Sequence, residues 1–181
     1  MNLPNILTLI RVLLIPVFVI LVMNRSLGWA LFIFALAGIT DGADGLIARL
    51  TRQRTELGAY LDPIADKLLL SSAFITLAIF ELLPSWLTVI VITRDVIILI
   101  GILVMTLNHY EVKIEPSLFG KVTTTFQIST ILLVLMTSYG TLFKTLSTIG
   151  IYGTTVFTIL SGAHYIYIGT RMLNGKKERG R

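Results

Sequence analysis

The sequence contains no cysteine, and charged residues make up only 14% of its 181 residues, against roughly 25% in an ordinary soluble domain. The absence of cysteine excludes disulfides, thiolate metal sites and cysteine nucleophiles. Only two histidines are present, so a metal ion would depend mainly on oxygen ligands. Hydrophobic residues make up 55% of the chain, which is typical of a membrane protein and excludes a cytosolic globule.

The apolar residues form six stretches, at 6–23, 27–40, 57–80, 86–107, 122–138 and 146–168. A membrane-spanning helix needs about 20 apolar residues, so six spans would use most of the chain and leave no separate soluble domain. The second stretch is short, and we extend it as a helix through residue 50. The sequence therefore predicts an all-α polytopic bundle of six transmembrane helices, one domain over 1–181 with a short, frayed basic tail at 171–181.

The basic residues indicate the orientation of this bundle, because Lys and Arg concentrate in cytoplasmic segments. They cluster between the second and third stretches, between the fourth and fifth, and in the tail. Both termini are therefore expected on the cytoplasmic side of the inner membrane. The net charge of +5 then reflects these segments and anionic lipids, and we do not expect a nucleic-acid partner.

The aspartates are concentrated in one part of the chain: four of the five lie within the 26 residues from 41 to 66. Asp41 and Asp44 are spaced i, i+3 and Asp62 and Asp66 i, i+4, so each pair shares a helix face. Four neighbouring carboxylates repel one another unless cations intervene, and Mg²⁺ or Mn²⁺ takes such oxygen ligands. The pattern predicts a polar cavity at the cytoplasmic side that holds two divalent ions. The alternative is a set of helix caps and surface ion pairs.

Small residues accompany these aspartates. Gly45, Ala48 and Gly58 allow either close helix packing or close approach of a ligand to the backbone. Beside four aspartates and Arg49, whose guanidinium suits phosphate, a phosphate-bearing ligand is the favoured interpretation.

The combined motif is Asp41-x2-Asp44-Gly45-x2-Ala48-Arg49, eight residues, then Gly58-x3-Asp62-x3-Asp66. It resembles the signature of the CDP-alcohol phosphatidyltransferases at every fixed position and spacing. The resemblance implies attack by an alcohol hydroxyl on the diacylglycerol-linked phosphorus of a CDP-lipid such as CDP-diacylglycerol, with release of CMP. Family members have six membrane helices, so the resemblance extends over nearly the whole chain and also suggests a homodimer.

The resemblance also assigns roles to individual residues. The four aspartates would bind the two metal ions, and Asp66 would in addition take the proton of the acceptor hydroxyl, a role that suits a carboxylate within hydrogen-bond reach. The opening Leu3-Pro4-Asn5-Ile-Leu-Thr8 is similar to the start of the family's first helix, although a plain helix cap would explain it as well. The residues expected to line the CDP-lipid site are Asn5, Thr8, Gly45, Ala48, Arg49 and Gly58.

The acceptor is indicated by two further segments. Thr93-Arg94-Asp95 and the segment from Pro116 to Thr124 resemble the bacterial phosphatidylglycerophosphate synthase branch, whose acceptor is glycerol 3-phosphate. Arg94 and Lys121 would bind the acceptor phosphate, although Arg94 could instead form a structural pair with Asp95. That branch commonly has Arg-Glu at this position, whereas Arg-Asp resembles the cardiolipin synthases, whose acceptor is phosphatidylglycerol.

A different function class stays open on the residues alone. Intramembrane carboxylates could carry Mg²⁺ or Mn²⁺ through a small divalent-cation transporter. The placement of four aspartates near one membrane face, with only Asp95 deeper in the bilayer, argues against a transport path.

Overall fold

The computed structural model describes residues 3–51, 56–107 and 118–179, with side chains described at 8–40, 64–104, 107 and 118–170. In these ranges the chain is helical and contains no β-strand. A short 3-10 turn at Met136–Tyr139 precedes the last helix. The helices are α1 (Leu3–Met23), α2 (Leu27–Thr51), α3 (Glu56–Ile79), α4 (Ser85–Leu107), α5 (Leu118–Leu135) and α6 (Thr141–Arg179).

The helix bounds confirm that each of the six apolar stretches forms a helix. The extension of the second helix through residue 50 is also confirmed, because α2 ends at Thr51. The last helix differs from the expected frayed tail, since α6 continues to Arg179. Lys, Arg and Glu are good helix formers, so the basic tail prolongs the helix instead of ending it.

Three helical segments are long and apolar enough to cross a membrane by length and composition: Ser85–Val104, Leu118–Tyr139 and Thr141–Thr170. Two shorter apolar segments, Thr8–Met23 and Leu27–Thr40, precede them. Many large apolar side chains on these helices are exposed, as expected of helices that face lipid. These features support a membrane protein, while the count of six spans and the cytoplasmic cavity stay predictions.

The packing divides the helices into two groups. Helix α1 packs against α2 and α3, while α6 packs against α4 and α5. A buried apolar cluster connects the groups through residues of α1 to α5, including Phe18, Phe34, Phe74, Leu87 and Leu135. The rings of Phe18 and Phe34 lie 5.7 Å apart at their centroids, so α1 and α2 meet through aromatic contact at the centre of the cluster.

Helices α1 and α3 end in the same way. Ser26 N–H donates to the Leu21 carbonyl at 2.9 Å, and Leu82 N–H donates to the Leu77 carbonyl at 2.8 Å. This is the Schellman pattern, which places the residue after the helix in the left-handed region. Those residues are Arg25 (φ 56°) and Glu81 (φ 58°). The Arg25 guanidinium donates to the Phe80 carbonyl at 3.2 Å, so the two turns lie side by side.

Helices α5 and α6 are antiparallel and meet through buried polar groups. The Thr123 hydroxyl donates to the Phe157 carbonyl at 3.0 Å, and the Thr130 and Thr154 hydroxyls lie 2.8 Å apart. Gln127 is fully buried between these two levels of α5. Interhelical hydrogen bonds of this kind hold membrane helices together, because lipid provides no hydrophobic drive for helix association.

The bundle therefore has two distinct ends. The turn end contains the connections at 24–26, 80–84 and 136–140. The aspartate end contains the beginning of α1 and α3, the end of α2, and the aspartates at 41, 44, 62 and 66.

Candidate active site

The structure describes the side chains of four of the predicted site residues: Thr8, Asp66, Arg94 and Lys121. The others lie outside the described side chains, although their positions within helices are given. In α1 this applies to Asn5; in α2 to Asp41, Asp44, Gly45, Ala48 and Arg49; and in α3 to Gly58 and Asp62.

Asp66 is held by a buried arginine of the first helix. The Arg11 Nη1 donates to Asp66 Oδ1 at 2.8 Å; the Arg11 side chain has no solvent exposure, whereas that of Asp66 is 41% exposed. The contact fixes one oxygen of the carboxylate. A carboxylate has about four lone-pair positions on two oxygens, so it can accept from Arg11 and from other groups at the same time.

Thr8 lies on the same helix as Arg11, three residues earlier, and is only 2% exposed. Residues at i and i+3 are neighbours on one helix face. The predicted nucleotide residue Thr8 therefore shares a buried face of α1 with the arginine that contacts Asp66.

A second charged cluster joins α3 to α4 next to Asp66. Lys67 Nζ donates to Asp95 Oδ1 at 2.5 Å, and Arg94 Nη1 donates to the same oxygen at 2.7 Å. Asp95 is 7% exposed and Arg94 is 6% exposed. One buried carboxylate thus holds two cations, which compensates part of the cost of placing these charges in an apolar bundle.

Helix α6 contributes the other contacts of Arg94. Ser161 Oγ accepts from Arg94 Nη2 at 2.8 Å and from Nε at 3.3 Å. The Arg94 guanidinium carbon lies 5.8 Å from the centroid of the Tyr165 ring, a cation–π arrangement. At Gly162, an added Cβ would lie 3.6 Å from Arg94 Cγ. Arg94 is therefore held by α4 and α6 together.

Lys121 lies at the same level of the bundle. Its neighbour Phe119 packs on the His164 ring at 5.2 Å between centroids, and Thr123 bonds to the Phe157 carbonyl. Lys121 is exposed and lies between these two α5 residues. The α6 segment that contacts Arg94 therefore also lies beside the beginning of α5.

The described charges at the aspartate end are mainly positive. They comprise four cations and two carboxylates: Arg11, Lys67, Arg94, Lys121, Asp66 and Asp95. This set leaves out Asp41, Asp44 and Asp62, which belong to the same end but lie outside the described side chains. The guanidinium of arginine suits phosphate, so Arg94 adds a phosphate-compatible group to this region. Arg94 and Asp95 form the structural pair that the sequence left as an alternative, within a larger cluster that also contains Lys67.

The metal prediction depends mainly on residues beyond the described side chains. Within the described side chains, no three His, Asp or Glu residues come together to hold an ion; Asp41, Asp44 and Asp62 lie outside that set. The donor chemistry fits Mg²⁺ or Mn²⁺, because these ions prefer carboxylate oxygen. Asp66, half-exposed and oriented by Arg11, is compatible with that set.

Sequence reasoning gave no role to three residues that the structure brings into this region: Arg11, Lys67 and Ser161. It named Asp95 only as a possible structural partner of Arg94. Arg11 and Lys67 carry a detectable signal, since a charge within an apolar helix is costly and normally has a partner. Ser161 has no such signal, because a serine in an apolar helix is common and only the fold places it against Arg94.

Comparison with known families gives a match over most of the chain. Residues 1–160 match the family model described as CDP-alcohol phosphatidyltransferase. The match includes α1 to α5 and the part of α6 that precedes Ser161.

Similar proteins are named either for the transfer to glycerol 3-phosphate that gives phosphatidylglycerophosphate or for cardiolipin synthesis. A protein named "Probable phosphatidylglycerophosphate synthase" of Mycobacterium tuberculosis is 35% identical over 98% of this chain and 86% of its own length. The CDP-diacylglycerol–glycerol-3-phosphate 3-phosphatidyltransferase of Bacillus subtilis is 32% identical over 91% of this chain and 93% of its own. The human cardiolipin synthase (CMP-forming) is 36% identical over 70% of this chain, but over only 48% of its own length.

Proposed function

The chain belongs to the CDP-alcohol phosphatidyltransferase family, and on that premise we propose that it transfers the phosphatidyl group of CDP-diacylglycerol to glycerol 3-phosphate. The products are phosphatidylglycerophosphate and CMP. Two relatives that match over nearly their whole length are named for phosphatidylglycerophosphate synthesis or for this transfer. Family membership makes the chain a phosphatidyltransferase, which argues against the cation-transporter alternative.

The observation that carries the choice of acceptor is the Lys67–Asp95–Arg94 cluster, whose Lys67 directly follows Asp66 in α3. Glycerol 3-phosphate brings a phosphomonoester that is close to doubly charged at neutral pH, and it needs cations beside the reacting hydroxyl. Asp95 neutralises only one of its two cationic partners. Lys121 adds another exposed cation at the same level. Arg94, Lys67 and Lys121 are therefore proposed to bind the acceptor phosphate.

The proposed chemistry is a displacement at phosphorus. Asp66 takes the proton of the acceptor hydroxyl, the acceptor oxygen forms a bond to the diacylglycerol-linked phosphorus, and the bond from that phosphorus to the CMP oxygen breaks. Arg11 orients the Asp66 carboxylate for this task. Asp41, Asp44, Asp62 and Asp66 would hold two divalent ions, Mg²⁺ or Mn²⁺, which supply charge stabilisation for the phosphoryl oxygens and the leaving group.

The donor site is proposed on α1, α2 and α3. Arg49 would contact the diphosphate through its planar donor fork, and the small residues would allow the nucleotide to approach the helix backbone. Thr8, buried on the Arg11 face of α1, supports a nucleotide site between these helices. The complete proposed set is Asn5, Thr8, Gly45, Ala48, Arg49 and Gly58.

The setting of the reaction is also a proposal. The aspartate end, both termini and the active site would face the cytoplasm in the inner membrane, as the positions of Lys and Arg indicate. A homodimer is proposed from the family resemblance and from the prevalence of twofold assemblies.

Cardiolipin synthase is the second candidate, because the human enzyme is 36% identical over 70% of this chain and the Arg94-Asp95 pair resembles that branch. Its acceptor, phosphatidylglycerol, is a phosphodiester with a single charge. The three cations proposed at the acceptor site, Lys67, Arg94 and Lys121, favour the more highly charged glycerol 3-phosphate.

The two candidates are separated by offering each acceptor alone. Purified protein in detergent receives CDP-diacylglycerol, Mg²⁺ or Mn²⁺, and either glycerol 3-phosphate or phosphatidylglycerol, and CMP release is measured. We expect CMP with glycerol 3-phosphate and only background with phosphatidylglycerol. The reverse result would identify a cardiolipin synthase, and no CMP with either acceptor would overturn both assignments.

A further inference from the structure

The turn end contains an open groove that the proposed reaction does not use. Its volume is about 560 Å³, and it lies between the first turn of α2 and the 3-10 turn before α6. Its lining includes Arg25, Gly28, Trp29, Phe32 and Tyr139. From residue 27 to residue 41, α2 rises by about 1.5 Å per residue, roughly 21 Å. The groove is therefore far from the proposed catalytic residues along the bundle.

Arg25 provides a fixed positive charge at this groove. Its backbone is left-handed with φ 56°, a conformation that is unfavourable for a residue other than glycine. Its guanidinium lies 5.7 Å from the Phe80 ring centroid and donates to the Phe80 carbonyl at 3.2 Å. None of the described ion pairs gives Arg25 a carboxylate partner. Its charge is thus positioned but not neutralised by these contacts.

The other walls of the groove are aromatic and exposed. Trp29, Phe32 and Tyr139 are 64%, 56% and 62% exposed, and Trp29 meets Phe32 edge to face at 6.1 Å. Gly28 allows the Tyr139 phenol to approach α2, because an added Cβ would lie 2.6 Å from the Tyr139 hydroxyl oxygen. Exposed Trp and Tyr at the beginning of an apolar helix are typical of the membrane interface, where headgroups meet acyl chains.

We propose that this groove binds an anionic phospholipid of the leaflet that surrounds the turn end, with the lipid phosphate at Arg25 and an acyl chain along Trp29 and Phe32. The unneutralised guanidinium selects the negative charge. The exposed aromatic wall selects a lipid over a soluble phosphate, because a soluble phosphate has no acyl chain to pack against these side chains. This site goes beyond the proposed reaction and does not depend on its acceptor.

Trp29 can report on the site by fluorescence. The chain has two tryptophans, so Trp86→Phe leaves Trp29 as the only one. The variant is reconstituted in vesicles of equal phosphatidylglycerol and phosphatidylcholine, with bromine on the acyl chains of one lipid or the other. Bromine quenches tryptophan on contact, and total composition stays constant. We expect brominated phosphatidylglycerol to quench more strongly, with a local enrichment of about fivefold, the size expected for one basic residue at an anionic surface.

Two charge variants in the same background test the role of Arg25. Arg25→Gln should reduce the quenching by brominated phosphatidylglycerol to that of brominated phosphatidylcholine. Lys144→Gln is the matched control, because Lys144 is an exposed cation near the same end of the bundle but does not line the groove; it should keep the preference.

Three outcomes would overturn the proposal. Equal quenching by the two brominated lipids before any charge change would make the groove an ordinary lipid contact. An equal loss in both charge variants would indicate general surface charge. Loss of the preference when inorganic phosphate is added would indicate a soluble anion as the ligand. Thermal unfolding of each variant checks that the fold is retained.

Discussion

Asp66 accepts a hydrogen bond from Arg11 across 55 positions of sequence, and this contact ties the first half of α3 to a fully buried side chain of α1. The carboxylate proposed as general base is therefore oriented by a residue outside the aspartate motif. A side chain that orients a reacting group affects the rate even without touching the substrate, because misplacement by about 1 Å can cost 10²-fold.

Replacing Arg11 is expected to lower kcat more than it changes KM. Arg11→Met should reduce kcat by about 10- to 100-fold and leave the KM for CDP-diacylglycerol nearly unchanged, while Arg11→Lys should recover part of the rate. Asp66→Asn should abolish turnover. Steady-state CMP release measures all three, and an unchanged kcat in Arg11→Met would contradict the positioning role.

The contacts around Asp95 predict that two substitutions raise the KM for glycerol 3-phosphate to different extents. Asp95→Asn removes the shared partner of Lys67 and Arg94, and should raise the KM for glycerol 3-phosphate by about tenfold or more, given about 1.5–3 kcal/mol for a hydrogen bond to a charged group. Ser161→Ala removes the α6 contact of Arg94 but keeps Asp95, so its effect should be smaller. Kinetics at varied acceptor and at varied CDP-diacylglycerol separate the two substrates. A larger effect of Ser161→Ala, or an equal effect on both substrates, would refute this arrangement.

Metal removal tests the aspartate set. Treatment with EDTA should abolish CMP release, and Mg²⁺ or Mn²⁺ added in excess should restore it, because carboxylate oxygens bind these ions. Asp41→Asn, Asp44→Asn and Asp62→Asn should each lower the activity and weaken its dependence on metal concentration. Activity that persists in EDTA would argue against a metal-dependent reaction.

Two glycines should respond differently to replacement by alanine: Gly153 of α6, at the contact with α5, and Gly101 of α4. At Gly153 an added Cβ would lie 2.8 Å from the Phe126 ring, which stacks on Phe157 at 4.5 Å. Gly153→Ala should therefore destabilise the fold by about 1–3 kcal/mol. At Gly101 an added Cβ has nothing within 4 Å, so Gly101→Ala should be neutral or stabilising by about 0.5–1 kcal/mol.

Thermal unfolding in detergent measures both glycine variants. A lower midpoint for Gly153→Ala together with an unchanged or higher midpoint for Gly101→Ala is the expected pair. Equal midpoints for the two variants would show that α5 and α6 accommodate the added methyl group beside Phe126 without loss of stability.

The positions of the helices could be predicted from the sequence, whereas the side-chain contacts between helices could not. Apolar length located the six helices of the described ranges, and the aspartate spacing led directly to the family. The partner of Asp66 could not be inferred from the motif, because Arg11 reaches it only when α1 packs on α3. Likewise, the sequence placed Arg94 beside Asp95 but did not reveal that Lys67 and Ser161 complete the cluster. Such contacts depend on helix packing between residues distant in sequence.

The attachment of Arg94 to α6 has an evolutionary consequence. The residues proposed to bind the donor lie on α1, α2 and α3, whereas Arg94 is held by α4 and by Ser161 of α6. Substitutions on α6 can therefore reposition the guanidinium while the aspartate motif stays unchanged. With Arg94 at the acceptor phosphate, as proposed, a lineage would change the alcohol it uses by altering one helix, and related enzymes with the same donor chemistry would have a simple route to different lipid products.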